Sequence, residues 1–277
     1  MTAHEFVLPA RMDQAWRERA LLAAFGAVTL AAALGYATFA LHPERLAAMP
    51  DAASIYGLAL KFFPPGHILV GLVTLAAILS WRVGAAWVPA AATLYLLSLS
   101  SELLGTTIGL PFGPYHYTDG LGVKWFAHVP VLIPASWFMM ALPSFALVTR
   151  CVTAKPLLRI VLAAVLLVSW DLALDPAMSR LMPYWVWGRA GAYYGMPLLN
   201  LAGWYVTALV LMAALTLLRI DRWAARVPTT SFALIYAANL ALPALMAAAA
   251  GLWPAAVLAT LPATLVAVVG TRRTETR

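Results

Sequence analysis

The chain has 277 residues, of which 63% are hydrophobic and only 10% are charged, and its mean hydropathy is +0.84. Soluble domains carry about 25% charged residues, so this chain lacks the polar side chains to cover a water-exposed surface. The composition therefore argues against a soluble enzyme, a nucleic-acid-binding protein and a disordered chain. The net charge of +7 is better explained by signals of membrane topology.

Eight apolar segments in chain order predict membrane-spanning helices, because a spanning helix needs ~20 mostly apolar residues. The segments are residues 20–41, 62–81, 84–104, 128–148, 157–174, 197–218, 229–250 and 251–270. Gly251 suits a left-handed helix end, and Pro254 suits the first turn of the last helix. We therefore predict an all-α, polytopic membrane helix bundle in which residues 1–277 form a single integral membrane domain.

The basic residues are distributed asymmetrically between the two sides of this bundle. An even number of spans puts both termini on one side, together with 13 of the 18 basic residues: Arg11, Arg17, Arg19, Arg82, Arg150, Lys155, Arg159, Arg219, Arg222, Arg226, Arg272, Arg273 and Arg277. The other side has Arg45, Lys61, Lys124, Arg180 and Arg189. Since Lys and Arg are enriched in cytoplasmic loops, we predict a cell-membrane protein with both termini in the cytoplasm.

Polar residues of five spans fall at one level in the outer third of the membrane. Helical rise places Glu102 ~27 Å along the third span, and Asp171 and Asp175 ~21 and ~27 Å along the fifth. Three further polar residues lie at this level in other spans: His67, His128 and Asn200. A carboxylate facing lipid is costly, so these groups are expected to face the bundle interior.

Asp171 and Asp175 are four residues apart, which places both on one helix face. Like charges repel and a low dielectric disfavours ionisation, so we expect at least one to hold a proton near neutral pH and to be able to act as a general acid. The structural alternative is a pair held by Arg180 or Arg189.

The remaining polar residues have structural alternatives too. Glu102 could make a helix-packing hydrogen bond to Thr106 or His128. Each of three histidines alone is typical of a hydrogen-bonded structural residue: His67, His116 and His128. The chain has no i, i+4 histidine pair and a single cysteine, so no metal site is predicted.

Two connections on this side, residues 105–127 and 176–196, are rich in Gly, Pro and aromatic residues. They are too apolar to extend into water and too broken to be helices, so we predict capping loops that line a cavity. Aromatic residues concentrate here, among them Trp170, Trp204, Tyr115, Tyr117, Tyr193 and Tyr194. An ordinary interfacial belt is the alternative, but the excess on one side predicts a pocket able to stabilise a cation.

Two motif blocks carry a family resemblance. The first is Glu102-x-x-Gly105, then Gly109-Leu-Pro-Phe-Gly-Pro-Tyr-His-Tyr117, then Pro130-Val-Leu-Ile-Pro134 with Trp137. The second is Trp170-Asp171 to Asp175-Pro176, Trp185-x-Trp187, Gly191-x-Tyr193-Tyr194-Gly195-x-Pro197 and Asn200-x-x-Gly203-Trp204. Over residues 62–219, the chain resembles the CruF-type acyclic carotenoid 1′,2′-hydratases, membrane carotenoid biosynthesis proteins that include bisanhydrobacterioruberin hydratases.

The resemblance implies a cofactor-independent hydro-lyase that adds water across the terminal C1′–C2′ double bond of an acyclic (ψ) carotenoid end group and gives a tertiary alcohol. The implied substrates are lycopene, γ-carotene or a similar isoprenoid. Its partners would be this carotenoid, water, the lipid bilayer and other enzymes of carotenoid synthesis, with no nucleic acid.

Hydration of such an alkene needs an acid, a group that handles water and aromatic faces for the cation. We expect Asp171 or Asp175 to donate the proton, and Glu102 with His128 or His116 to orient the water and take up its proton. The expected substrate-binding residues are Trp170, Tyr193 and Tyr194 near the cation, Asn200 near the water, and Tyr115, Tyr117, Trp204 and His67.

Three other functions remain open from sequence. A UbiA-like prenyltransferase could bind Mg²⁺-diphosphate at Asp171 and Asp175, although a second acidic motif is missing. A membrane lycopene cyclase would use the same protonation but leave the product mass unchanged. A non-enzymatic transporter could use the carboxylates as a proton relay, although broken helices at mid-membrane would then be typical.

Overall fold

A computed structural model describes residues 7–152 and 155–275. Its eight long helices are α1 (Val7–Gly35), α3 (Pro50–Val83), α4 (Val88–Ile108), α5 (Leu132–Cys151), α6 (Pro156–Asp175), α7 (Leu198–Leu217), α9 (Thr229–Ala249) and α10 (Trp253–Glu275). Two short helices connect them, α2 (Pro43–Ala47) and α8 (Asp221–Ala224). Each predicted span matches one long helix, and the predicted all-α bundle is confirmed.

Six apolar helical segments in the described chain are long enough to cross a membrane: Asp13–Ala40, Pro50–Ile108, Leu132–Cys151, Pro156–Leu181, Leu198–Leu217 and Thr229–Ala249. A shorter one is Trp253–Val269. The second segment contains both α3 and α4, because a short 3₁₀-helix, Gly84–Trp87, joins them without a break. The chain bends sharply at Gly84, which has a φ of 61°. His67 and Glu102 border one cavity across this bend, whereas a straight helix would separate them by ~50 Å. The protein is therefore an integral membrane protein whose chain reverses at Gly84.

Some helix ends differ from the predicted spans. α3 begins at Pro50 rather than at residue 62, and proline is tolerated there because the first-turn N–H has no helical partner. α5 begins at Leu132 rather than at His128, which belongs to the preceding loop. Two π-helices, Tyr36–Ala40 and Pro176–Leu181, extend α1 and α6 at the predicted polar level. The helices therefore reach further into that level than hydropathy alone indicates.

The helix at the centre of the bundle is α5. In its most apolar stretch 83% of the residues are buried, against 22% for the first membrane segment. α5 packs against α3, α4, α6, α7, α9 and α10, whereas α1 packs mainly on α3 and α9. Of the helices that border the cavity described below, α5 is therefore central and α1 is peripheral.

The two predicted capping segments meet in a small antiparallel ribbon. β1 (Tyr115–Tyr117) comes from the first segment and β4 (Trp185–Trp187) from the second. A second pair, β2 (Lys124–Trp125) and β3 (Val129–Pro130), forms a hairpin just before α5. Pairing between the segments ties the end of α4 to the end of α6.

The first capping segment also lies directly on α7. A Cβ atom at Gly203 would stand 2.6 Å from the Pro111 carbonyl oxygen and 2.8 Å from the Phe112 ring, so no larger residue fits without movement. This close approach holds the first capping segment, and with it β1, against the N-terminal part of α7.

An ion pair joins α1 to α3 at the opposite end of the bundle. The Glu18 carboxylate accepts two hydrogen bonds from Arg82, at 2.6 Å from Nε and 2.8 Å from Nη2. Glu18 is only 4% exposed. Two parallel bonds between a guanidinium and a buried carboxylate fix the relative position of the two helices.

We expect Glu18→Gln to lower the unfolding free energy by roughly 3 kcal/mol, because it leaves the Arg82 charge without its buried partner. Thermal unfolding of the purified protein in one detergent measures the change. Asp13→Asn is the matched control, since the Asp13–Arg17 pair has the same chemistry but is exposed and such pairs contribute at most about 1 kcal/mol. Equal shifts in the two variants would contradict a special role for the α1–α3 pair.

Candidate active site

A cavity of about 250 Å³ lies beneath the β1–β4 ribbon. One end is polar and aromatic and is bordered by Glu102, Asp175 and Asn200 from α4, α6 and α7. The other end, the apolar arm, runs between α1, α3 and α9 and is bordered by residues such as Ala32 and Leu242. This shape suits a long apolar ligand that presents one end to the polar groups.

Glu102 is buried and accepts three hydrogen bonds. The hydroxyls of Tyr115 and Tyr117 both donate to Oε2, the latter at 2.8 Å, and Trp137 Nε1 donates to Oε1 at 2.9 Å. The partners considered from sequence are wrong, since the Thr106 hydroxyl donates to the Glu102 backbone carbonyl instead. The carboxylate therefore belongs to the cavity wall and does not serve as a helix-packing contact.

Asp175 is buried and accepts four hydrogen bonds. Its Oδ1 receives Ser179 Oγ at 2.8 Å, Trp187 Nε1 at 3.1 Å and Trp185 Nε1 at 3.4 Å. Its Oδ2 receives Asn200 Nδ2 at 2.9 Å. These donors replace the arginine partners that the structural alternative required.

Asp171 is joined to Asp175 through one amide group. Asn200 Nδ2 also donates to Asp171 Oδ2 at 3.1 Å, so it bridges the two carboxyl groups. Asp171 is fully buried, and its Oδ1 has no hydrogen-bond partner in the structure. The two aspartates share a helix face, as predicted, but Asp175 borders the cavity and Asp171 lies outside its lining.

The ribbon divides its donors between the two cavity carboxylates. The register pairs Tyr115 with Trp187 and Tyr117 with Trp185, so β1 supplies both tyrosines to Glu102 and β4 supplies both tryptophans to Asp175. Side chains alternate along a strand, which puts all four on the inner face. The Tyr115 and Trp187 rings lie 5.2 Å apart.

The two phenols stay protonated over a wide pH range. Burial and the adjacent Glu102 carboxylate raise the pKa of Tyr115 and of Tyr117 well above the ordinary value. Both hydroxyls can therefore donate to Glu102 at any physiological pH.

Three tryptophans form the aromatic wall next to Glu102. The Trp137 and Trp204 rings stack at 4.1 Å, and Trp170 meets Trp204 edge-on at 5.8 Å. All three border the cavity. Their faces offer stabilisation to a positive charge formed there.

Besides Asp171, four of the predicted site residues lie outside the cavity lining. His116 is exposed because it faces outward between the two inward tyrosines of β1, and His128 is exposed in the turn of the β2–β3 hairpin. Tyr193 and Tyr194 pack on each other outside the lining, and the Tyr193 hydroxyl donates to the Leu172 carbonyl at 2.8 Å. We therefore remove these four from the candidate site.

The sequence reasoning missed Trp137, Ser179 and Asn239 as site residues. It assigned Trp185 and Trp187 only to the aromatic residues of the predicted pocket. All five contact the carboxylates or line the cavity. One signal was available. Tyr115-x-Tyr117 and Trp185-x-Trp187 both alternate with a period of two, which is typical of paired strands with one buried face.

Comparison with known proteins identifies the family. The family model described as carotenoid biosynthesis protein matches residues 63–266. A bisanhydrobacterioruberin hydratase from Haloarcula japonica is 34% identical over 134 residues, which make up 47% of this chain and 43% of that protein. The match thus spans less than half the length of this curated relative. No solved structure matches. Since the family model covers most of the chain, including every cavity carboxylate, the protein belongs to the carotenoid biosynthesis protein family.

Proposed function

We propose that this protein is a carotenoid hydratase that adds water across the C1′–C2′ double bond of a ψ end group and forms a tertiary alcohol. The observation that carries the proposal is the cavity itself, where buried carboxylates meet aromatic faces at the end of an apolar arm. Membership in the family and the similarity to a hydratase support it.

The first step is proton transfer to the alkene. Asp171 and Asp175 hold one proton between them, because two buried carboxyl groups bridged by a single amide cannot both ionise at low cost. Asp175 borders the cavity and gives this proton to C2′, and the π-electron pair forms the new C–H bond. A tertiary cation is left at C1′, against the faces of Trp170 and Trp204.

Water capture completes the reaction. A water oxygen forms the bond to C1′, and Glu102 accepts the proton that the resulting oxonium releases. The three donors around Glu102 hold this carboxylate in place for that role. Return of the proton from Glu102 to the aspartate pair resets the site, so the net change is addition of one water without any redox step.

The rival functions have less support. Asp175 already accepts four hydrogen bonds from neutral N–H and O–H groups, which suits a hydrogen-bonded carboxyl better than a ligand of Mg²⁺-diphosphate. A cyclase would use the same acid but would exclude water. The mass of the product separates the two reactions.

We place the protein in the cell membrane with both termini in the cytoplasm, so the cavity lies toward the opposite leaflet. The asymmetry of the basic residues supports this orientation. A carotenoid would then reach the apolar arm from the bilayer, delivered by other enzymes of its synthesis. Labelling of cysteines introduced at Thr2 and near Asp119 tests the topology: an impermeant reagent applied to intact cells should reach only the second position.

Expression in a lycopene-producing host, followed by mass analysis of the pigments, tests the activity. We expect product heavier than lycopene by one water. Asp171→Asn, Asp175→Asn and Glu102→Gln should each lower its yield by roughly 10²- to 10⁴-fold, because each removes a proton-transfer group. Protein levels in the membrane serve as the control. Near-normal product from all three variants would refute the assignment, and pigment of unchanged mass but altered structure would indicate a cyclase.

Gly105 provides a test of the hydrogen bond between Tyr115 and Glu102. A Cβ atom there would lie 2.9 Å from the Tyr115 ring and 2.6 Å from the Phe112 ring. We expect Gly105→Ala to displace Tyr115 and to lower the product yield roughly 10- to 100-fold. Gly57→Ala is the matched control, because nothing lies within 4 Å of the added atom in α3. Equal yields from the two variants would show that the contact does not matter.

A further inference from the structure

Besides Tyr56, whose hydroxyl donates to the Gly35 carbonyl oxygen at 3.1 Å, α3 contributes one polar side chain to the cavity lining, His67. It is 5% exposed, and its Nε2 lies 3.0 Å from Thr29 Oγ1 of α1. The Thr29 hydroxyl has a single proton, which it donates to the Phe25 carbonyl oxygen at 2.9 Å. Both contacts are satisfied together only if Thr29 Oγ1 accepts from His67, which assigns the ring proton to Nε2.

This arrangement leaves a lone pair on His67 Nδ1. In the neutral imidazole, one nitrogen donates and the other accepts. No acceptor in the described chain is paired with Nδ1, so a second ring proton would be left without a partner in apolar surroundings. The Phe25 ring, 5.0 Å away, holds the imidazole in place. Nδ1 is thus a fixed acceptor at the cavity wall.

Two asparagines of the lining also present a hydrogen-bond acceptor that has no protein donor among the described residues. Asn200 uses its Nδ2 on the two aspartates, and Asn239 uses its Nδ2 on the Ile235 carbonyl at 2.8 Å. Both amide oxygens are then acceptors without a protein donor among the described residues. These acceptors at the cavity wall can each take a hydrogen bond from an O–H group in the cavity, whether it belongs to a ligand or to water.

We propose that His67 Nδ1 binds an O–H group in the cavity and that Thr29 is the positioning residue that sets the required tautomer. The inference rests on the proposed function in taking the ligand to be a carotenoid and, for the water source, in taking the reaction to be hydration. Two sources of the O–H share this chemistry: a hydroxyl carried by the carotenoid, or the water that reacts with it. In either case the bond runs from the ligand oxygen to the imidazole.

Binding to the purified full chain tests the first source. Quenching of tryptophan fluorescence measures affinity for a monohydroxylated acyclic carotenoid and for the hydrocarbon of equal length. We expect the hydroxylated ligand to bind roughly 3- to 10-fold more tightly, as one hydrogen bond allows. His67→Phe and Thr29→Val should abolish this preference, whereas Thr29→Ser keeps the hydroxyl and should retain it.

Product formation tests the second source. If the O–H belongs to water, His67→Phe and Thr29→Val will leave both affinities unchanged but lower the hydration rate roughly tenfold or more, and Thr29→Ser will not. A lost binding preference identifies the carotenoid hydroxyl as the donor to His67 Nδ1, and a lowered rate with unchanged affinities identifies water. Both results support the proposal. The proposal is overturned if His67→Phe changes neither quantity, or if Thr29→Val and Thr29→Ser behave alike.

The binding arm also separates this proposal from the proposed function. The binding measurement needs no turnover. Suppose that the wild-type protein makes no hydrated pigment but binds the hydroxylated ligand more tightly, and that His67→Phe removes this preference. That result would refute the hydratase activity and would support His67 Nδ1 as a hydrogen-bond acceptor. If the protein does form hydrated product, but His67→Phe changes neither the ligand affinities nor the hydration rate, the hydratase activity is supported and the role of His67 is refuted.

Discussion

A carboxyl group buried in a membrane-embedded bundle must find its hydrogen-bond donors inside the protein, because lipid offers none. Glu102 and Asp175 meet this requirement with seven donors, four of which come from the β1–β4 ribbon. The ribbon and the helix ends together supply these donors at the cavity. Without the ribbon, each carboxylate would keep only donors from the helices and from the π-helical turn after Asp175.

The same requirement explains the unusual composition of the capping segments. These segments leave the helices and cross above the cavity at membrane depth. There they direct four aromatic side chains toward the cavity carboxylates: Tyr115, Tyr117, Trp185 and Trp187. Gly203 of α7 lets the backbone of the first segment at Pro111 lie against the helix, where any side chain on α7 would hold it away. Apolar loop residues then face lipid or the bundle, which is why these segments resemble neither helices nor water-exposed loops.

The helical part of this structure could be predicted from sequence because each apolar run is a local signal. Helical rise then placed Glu102 and Asp175 at one level, and the cavity confirms their convergence. The pairing of β1 with β4 could not be predicted, because hydropathy does not indicate which loop segments pair with each other. His116 and His128 were misplaced for the same reason: strand alternation and a hairpin turn decided their exposure, whereas depth in the membrane was the only criterion applied to them.

The hydrogen bonds to Glu102 and to Asp175 both depend on the register of the β1–β4 ribbon. Because a strand alternates with a period of two, inserting or deleting one residue just before Tyr115 would turn His116 inward and both tyrosines outward. Glu102 would lose two donors at once, and a slip of β4 would do the same to Asp175. Changes of length are therefore far more disruptive in these two short strands than exchanges of single side chains.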